Sequence, residues 1–186
     1  VGNLQIPTQQ GCINGLIIAV PDVASTLAEN QSRTDVLRKR AALIATYKNA
    51  NAIGLGNALA VLAGGGATLS DNIPTPVTTG HASTAWTCAE ICELALHKHQ
   101  FIGKPIGLLG FKGSVGGGVA ALLSSRGHRV LVHVKGRAAQ RALELGCEVV
   151  SEEQVIHECP ILIGASTTGP QINGRSIKNV KVMVDL

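Results

Sequence analysis

Short apolar segments alternate with amphipathic ones along the second half of the chain. The apolar run PIGLLG at 105–110 has the length of a buried strand, and SVGGGVAALLSSRG at 114–127 places three large apolar side chains on one helical face. Gly127 predicts the end of that helix. The later segments predict a strand at 128–134, a helix at 137–146, a strand at 147–150, a helix from an N-cap at Ser151 to 159, and strands at 160–166 and 180–186.

This alternation predicts a parallel sheet with helices on both faces. The first half is less regular, with predicted strands at 13–20 and 52–56, a helix at 31–50 and the start of another at 57–65. Two prolines interrupt the periodicity at 66–80. The predicted fold class is α/β, a Rossmann-like parallel sheet domain plus a smaller α/β N-terminal lobe, with a cleft between them. The predicted bounds are 1–82 for the substrate lobe, 83–102 for a linking helix and 103–186 for the Rossmann-like domain.

Composition narrows the class of protein. The chain is 45% hydrophobic and 15% charged, which predicts a globular fold with an aliphatic core. The basic run at 38–40 has no interleaved aromatic residues, so we expect a solvated helix face and no nucleic-acid partner. Five cysteines, with no signal peptide or long apolar span, predict a cytoplasmic protein without an integral membrane span. Because Cys88 and Cys92 lack a second pair, we expect packing thiols and no metal site.

The glycines that follow the strand at 105–110 carry the strongest functional signal. They form G-x-x-G-x-x-G between a predicted strand and a predicted helix, which is typical of a dinucleotide-binding turn. The free N–H groups and positive dipole end of the helix would hold phosphates. The alternative is a glycine-rich packing turn. The predicted cofactor-binding residues here are Gly110, Phe111, Lys112, Gly113, Ser114, Val115 and Gly116.

The next strand ends in VKGR, where an NAD site would carry an Asp or Glu for the ribose hydroxyl. Lys135, Gly136 and Arg137 stand there instead, and the two cations favour the 2′-phosphate of NADP(H). Solvated surface cations are the alternative. After the fourth strand, Ser166 and Thr167 are predicted to contact the nicotinamide half, because ligands of such sheets bind beyond the carboxyl ends of the strands.

Two residues are candidates for acid/base catalysis. His81 lies in TTGHASTAW at the start of a predicted helix, and histidine is the side chain type whose unperturbed pKa is nearest to neutrality. Lys48, at the end of the helix before NANAIGLG, is the second candidate. For both residues the alternative is a solvated helix end.

The combination of NAIGLGNALAVLAGG, TTGHASTAW and IGLLGFKGSVGGGVAALLSSRGH resembles the aldehyde-forming long-chain acyl-acyl-carrier-protein reductases. These are NADPH-dependent relatives of shikimate dehydrogenase and methylene-tetrahydropterin dehydrogenase. The resemblance runs from about Gly11 to Leu186 and implies a two-lobed NADPH-dependent reductase. The family pattern has Asn and His where this chain has His81 and Ser83, and the family's acyl-carrying cysteine lies beyond the last strand. Because the chain has no initiator Met and stops within the predicted strand at 180–186, we expect it to be a piece of a longer protein.

The sequence thus predicts an NADP(H)-dependent oxidoreductase that transfers hydride to or from an acyl thioester, carbonyl or similar substrate in the interlobe cleft. Two alternatives stay open: a methylene-tetrahydropterin-type dehydrogenase, and a non-catalytic module that senses NADP(H). The expected partner is a small-molecule or acyl-carrier-bound substrate, and a homo-oligomer is compatible with the sequence.

Overall fold

The computed structural model divides the chain into two compact units, Val1–Gly80 and His81–Leu186. The helix predicted as a linker falls within the second unit. The residues that the structure describes are 2–19, 29–30, 32, 35–36, 39–40, 43–44, 46, 48–56, 60, 67–70, 73–166 and 177–186.

The first unit begins with an antiparallel hairpin of strands β1 (Gly2–Thr8) and β2 (Gly11–Ile17). Its register places Leu4, Ile6, Ile13 and Ile17 on one face, and all four side chains are exposed. Strand β2 overlaps the predicted strand 13–20, whereas β1 was not predicted. The hairpin therefore adds an antiparallel pair to a region in which only alternating strands and helices were predicted.

The rest of the first unit is described in parts. Strands β3 (Ile53–Gly54) and β4 (Val77–Thr78) pair in parallel, and helix α1 spans Ala67–Ser70. The described residues between 32 and 46 are helical, in agreement with the predicted helix 31–50. Most of the predicted helix start at 57–65 lies outside the described residues. Strand β4 falls in the segment that was predicted to be an irregular break.

The second unit follows the predicted alternation closely. Each predicted strand and helix from 81 to 166 is present, with ends shifted by a few residues. In the part of this unit that the structure describes, the elements are α2 (His81–Lys98), β5 (Ile106–Leu109), α3 (Ser114–Ser125), β6 (Val130–Val132), α4 (Arg137–Glu144), β7 (Glu148–Val149), α5 (Glu152–Glu158), β8 (Ile161–Gly164) and β9 (Val182–Asp185).

Strands β5 to β9 form one parallel sheet in the order β7-β6-β5-β8-β9. Alternate side chains divide the core. Ile106, Val130 and Ile161 belong to a cluster with α2, α3 and α4, whereas Leu131 and Leu162 pack with residues of α5 on the other face. The predicted α/β class, a Rossmann-like parallel sheet covered on both faces, is confirmed.

Helices α2 and α3 pack closely because small residues meet at their contact. A Cβ added at Gly118 would lie 3.0 Å from the Cβ of Ala85. A charged cluster joins the end of α3 to the second half of α2. Arg126 donates to Glu90 and Glu93 at 2.8 and 2.7 Å, and His128 Nε2 lies 2.8 Å from Glu93. The hydrogen bond with His128 and the charge of Arg126 lower the pKa of Glu93.

Candidate functional site

The carboxyl ends of the five parallel strands define the candidate site. The chain leaves β5 for β6 on one side and reaches β8 and β9 on the other, so the strand order reverses between β5 and β8. In open α/β sheets, ligands bind in the crevice at such a reversal. The turn after β5 and the segment after β8 both begin there, and the N–H of Ala165 donates to the carbonyl of Leu109 at 2.8 Å.

Two of the loop glycines are required by the packing of the turn itself. Gly110 has φ +93°, and a Cβ there would overlap the backbone of Ala165. A Cβ at Gly116 would overlap the carbonyl of Gly110. Gly110 therefore permits the tight turn, and Gly116 permits the first turn of α3 to approach it. These are the steric roles of the first and third glycines in a dinucleotide-binding turn.

Gly113 is different, because the protein itself leaves room for a side chain there. Its φ of −70° and ψ of 156° suit any residue, and a Cβ would make only ordinary contacts, the nearest at 3.5 Å. Gly113 is the N-cap of α3 and makes no side-chain cap hydrogen bond. Position 113 therefore has no side chain that could accept a hydrogen bond from the first-turn N–H groups of α3.

The other loop residues that were predicted to bind the cofactor differ in how exposed their side chains are. Phe111 is buried in the core, so only its backbone is available to a ligand. Val115 is half-buried and packs against the same core, whereas Lys112 and Ser114 are exposed. Their assignment as cofactor-binding residues stays a prediction.

His81 and Ser114 meet at the beginnings of two helices. His81 is the first residue of α2, Ser114 is the first residue of α3, and His81 Nδ1 lies 2.7 Å from Ser114 Oγ. His81 is half-buried and Ser114 is exposed. The structure therefore brings a residue predicted to be catalytic into contact with one predicted to bind the cofactor.

The turn between β6 and α4 carries the two cations that were predicted to bind the 2′-phosphate, and we call this turn the basic tip. Lys135, Gly136 and Arg137 are all exposed, and Gly136 has φ +64°. Gly136 is the N-cap of α4, again without a side-chain cap, and the first turn of α4 carries no acidic residue. Two cations beside an uncapped helix start form a favourable place for an anion. The preference for a 2′-phosphate stays a prediction.

The far side of the strand reversal carries Ser166, which is half-buried. Thr167, also predicted to contact the cofactor, lies outside the described residues. Sequence reasoning did not select Asp185, the last residue of β9. Its Oδ1 would lie 3.0 Å from a Cβ built on Gly164 of the neighbouring strand. The available signal was a carboxylate at the carboxyl end of an apolar strand.

Lys48, the second predicted catalytic residue, belongs to the first unit, whereas His81 belongs to the second. Lys48 is exposed and its backbone N–H donates to the carbonyl of Ile44 at 3.0 Å. A catalytic role for Lys48 stays a prediction.

Three of the four buried cysteines of the second unit, Cys92, Cys147 and Cys159, are poor nucleophiles. Burial raises the pKa of the Cys147 thiol and raises that of Cys159 to about 12. The hydrogen bond with Cys88 raises the pKa of Cys92, and burial adds to this effect. Because the thiolate is the reactive form, none of these three thiols is primed for acyl transfer.

Metal centres and membrane spans can be assessed for the described residues alone. These residues contain no group of three or more His, Cys, Asp or Glu side chains arranged to hold a metal ion. Among their helices, none is both long and apolar enough to cross a membrane.

No protein-family model matches the chain, and no curated protein sequence matches it. Solved structures with some similarity include one of the subunits of dipicolinate synthase from Bacillus halodurans, at 17% identity and a TM-score of 0.38 over 53% of this chain and 38% of that one. The apo-structure of D-lactate dehydrogenase from Escherichia coli has 17% identity and a TM-score of 0.34 over 64% and 52% of the two chains. The chain thus spans about half or less of these proteins. Because these TM-scores are low, the α/β class is assigned from the parallel sheet of this chain and not from the similar structures.

Proposed function

We propose that the chain is an NADP(H)-dependent oxidoreductase that transfers hydride to or from an acyl thioester, a carbonyl or a similar substrate. The observation that carries the proposal is the glycine turn at the strand reversal. Gly110 and Gly116 are required by packing, and Gly113 gives α3 an N-cap that has no side chain. The resemblance to acyl-acyl-carrier-protein reductases supports the same class of reaction.

The residues present fit a dinucleotide. The first-turn N–H groups of α3 would hold the pyrophosphate, since they are uncapped at the crevice where such folds bind ligands. Lys135 and Arg137 would hold the 2′-phosphate beside the start of α4. Ser166 would face the nicotinamide half. When bound, the cofactor supplies or accepts the hydride, and the protein binds and orients it.

The first experiment measures cofactor preference. Fluorescence titration of the wild-type protein should give a Kd for NADPH at least about tenfold lower than that for NADH, because charge-assisted contacts to the 2′-phosphate are lost in NADH. The double variant Lys135→Ala, Arg137→Ala should bind both cofactors with similar affinity. Equal affinity of the wild type for the two cofactors, or no binding of either, would contradict the proposal.

The matched control removes two cations from the opposite edge of the sheet. Lys98 ends α2 and Lys104 precedes β5, and both are exposed. The variant Lys98→Ala, Lys104→Ala has the same net charge as the basic-tip variant, so it corrects for general electrostatic attraction. It should keep the wild-type preference for NADPH.

A second experiment tests turnover. Acyl thioesters, aldehydes and pterins are added in turn to the NADPH complex, and the loss of NADPH absorbance is followed. Oxidation with an acyl thioester or an aldehyde supports the proposed reductase. Turnover with pterins alone would favour the pterin-type dehydrogenase, and binding without any turnover would favour the sensing module.

A further inference from the structure

We propose that His81 is a positioning residue for the cofactor's pyrophosphate, acting through the hydroxyl of Ser114, and that it does not supply a proton at the nicotinamide. This inference rests on the proposed NADP(H) function. Its central observation is the 2.7 Å contact between His81 Nδ1 and Ser114 Oγ.

Ser114 lies where a pyrophosphate is expected. It follows Gly113 directly and is the first helical residue of α3, so its own N–H is among the uncapped donors at this start. A phosphate held by these N–H groups comes within reach of the exposed Ser114 hydroxyl. Any group in hydrogen-bond contact with that hydroxyl is therefore adjacent to the phosphate-binding position.

The hydroxyl has a single proton, and this limits how the three groups can be arranged. If His81 Nδ1 carries no proton, the Ser114 hydroxyl donates to it and turns only lone pairs toward a phosphate oxygen. If Nδ1 carries a proton, His81 donates to Ser114 Oγ, and the hydroxyl proton is directed to the phosphate. An anion at this start therefore selects the Nδ1–H form of His81, and His81 in turn orients the Ser114 hydroxyl as a donor.

The same placement argues against a role at the reacting carbon. In a dinucleotide, the nicotinamide ring is separated from the pyrophosphate by a whole ribose. On the other side of the strand reversal, the described residues include the polar Ser166 and Asp185, and the nicotinamide half is expected there. The His81 ring contacts the first residue of the phosphate-binding helix instead.

The test uses two ligands that share the 2′-phosphate but differ in the pyrophosphate. NADPH contains both groups, and adenosine 2′-monophosphate contains only the 2′-phosphate. His81→Ala should raise the Kd for NADPH about tenfold, or about 1.4 kcal/mol, and should change the Kd for adenosine 2′-monophosphate less than about twofold. Ser114→Ala should act in the same way, and the double variant should lose little more than either single variant.

A conservative variant provides the second readout. The side-chain amide of asparagine places an N–H near the position of the imidazole Nδ1, so His81→Asn should keep the NADPH affinity within about threefold of wild type. This variant and Ser114→Ala also provide the test if His81→Ala does not fold. Melting temperatures of the free proteins, measured by circular dichroism, establish folding.

The outcomes are distinct. A contact that only joins the two helices would lower the melting temperature of His81→Ala and weaken both ligands alike, and that result would overturn the inference. An unchanged NADPH affinity in the His81 and Ser114 variants would overturn it as well, while leaving the proposed function intact. Failure of the wild type to bind NADPH would overturn both proposals.

Discussion

Helices α3 and α5 begin at the same edge of the sheet with opposite kinds of N-terminus. Helix α5 is closed by its own side chains, since Ser151 Oγ accepts from the Gln154 N–H and Gln154 Oε1 accepts from the Ser151 N–H, both at 3.2 Å. Glu152 and Glu153 add negative charge to its first turn. Helix α3 begins at Gly113 with neither a side-chain cap nor an acidic first turn.

The difference separates a structural helix end from one available to a ligand. An isolated start of a helix leaves N–H groups without partners, and these are satisfied by side chains, water or ligands. The capping box satisfies them within α5. In α3 and α4 the N-cap is glycine, and in α4 two cations flank it, so the favourable partner for these starts is an anion.

Substituting a packed loop glycine should produce the largest effect. In Gly116→Ala the added Cβ overlaps the carbonyl of Gly110, so the turn or the helix must shift. We expect a loss of about 1–3 kcal/mol in the free energy of unfolding and no measurable NADPH binding. Urea unfolding and fluorescence titration provide the two measurements.

Gly113→Ala is the control and should stay within about 0.5 kcal/mol of wild type in its free energy of unfolding, since the backbone and surroundings of Gly113 accept a Cβ. Equal destabilisation by the two variants would contradict the steric difference.

Giving α3 an acidic start like that of α5 should have the next largest effect. Gly113→Asp places a carboxylate at the N-cap, where it caps the helix and repels a pyrophosphate. We expect the Kd for NADPH to rise at least about tenfold, with the free energy of unfolding changed by only a few tenths of a kcal/mol. Gly113→Asn has a similar shape without the charge and should weaken NADPH less. If Asp and Asn weakened binding equally, the electrostatic part of the argument would be wrong.

Removing the cap of α5 should affect stability alone. Ser151→Ala leaves the Gln154 N–H without its side-chain acceptor, and we expect a loss of about 1 kcal/mol in the free energy of unfolding. The Kd for NADPH should not change, because this start is not a ligand site. Ser151→Thr keeps the hydroxyl and should restore most of the stability. A weakened NADPH complex in Ser151→Ala would show that the capped start also serves the cofactor.

The smallest expected effect lies at the opposite edge of the sheet, where Glu93 meets His128 and Arg126. Because the folded protein lowers the pKa of Glu93 below its usual value of 4.5, the carboxylate stabilises the fold above that pH. This contribution is lost as the pH falls through the folded-state pKa. At pH 7, the free energy of unfolding of wild type should therefore exceed that of Glu93→Gln. This difference should be smaller than the loss caused by Ser151→Ala, and it should shrink below pH 4.5. Urea unfolding at several pH values measures this, and a difference that grows on acidification would contradict it.

Much of the second unit was predictable because its signals are local. The apolar runs of β5, β6 and β8 mark strands buried on both faces, and Gly127 and Gly146 adopt the positive φ that ends the preceding helices. The first unit offered weaker signals. Strand β1 mixes polar, apolar and proline residues and is exposed throughout, and β4 has only two residues.

The candidate site was predictable in part for the same reason. The glycine spacing lies within a single turn, so the steric roles of Gly110 and Gly116 follow from a short stretch of sequence. The contact between His81 and Ser114 joins residues 33 positions apart. It depends on the close packing of α2 on α3, which Gly118 and Ala85 permit. No local sequence pattern predicts the contact between His81 and Ser114.

The cysteines can be used to follow the unfolding of the second unit, because they differ in exposure. Of its five cysteines, Cys12 in the hairpin is exposed, whereas Cys88, Cys92, Cys147 and Cys159 are buried in the second unit. A maleimide should therefore label the native chain once, and the other thiols should react only when the core of the sheet domain opens. Counting modified thiols by mass spectrometry at increasing urea would follow the second unit by itself, and protection by NADPH would be visible as a delay in the appearance of the multiply labelled chain.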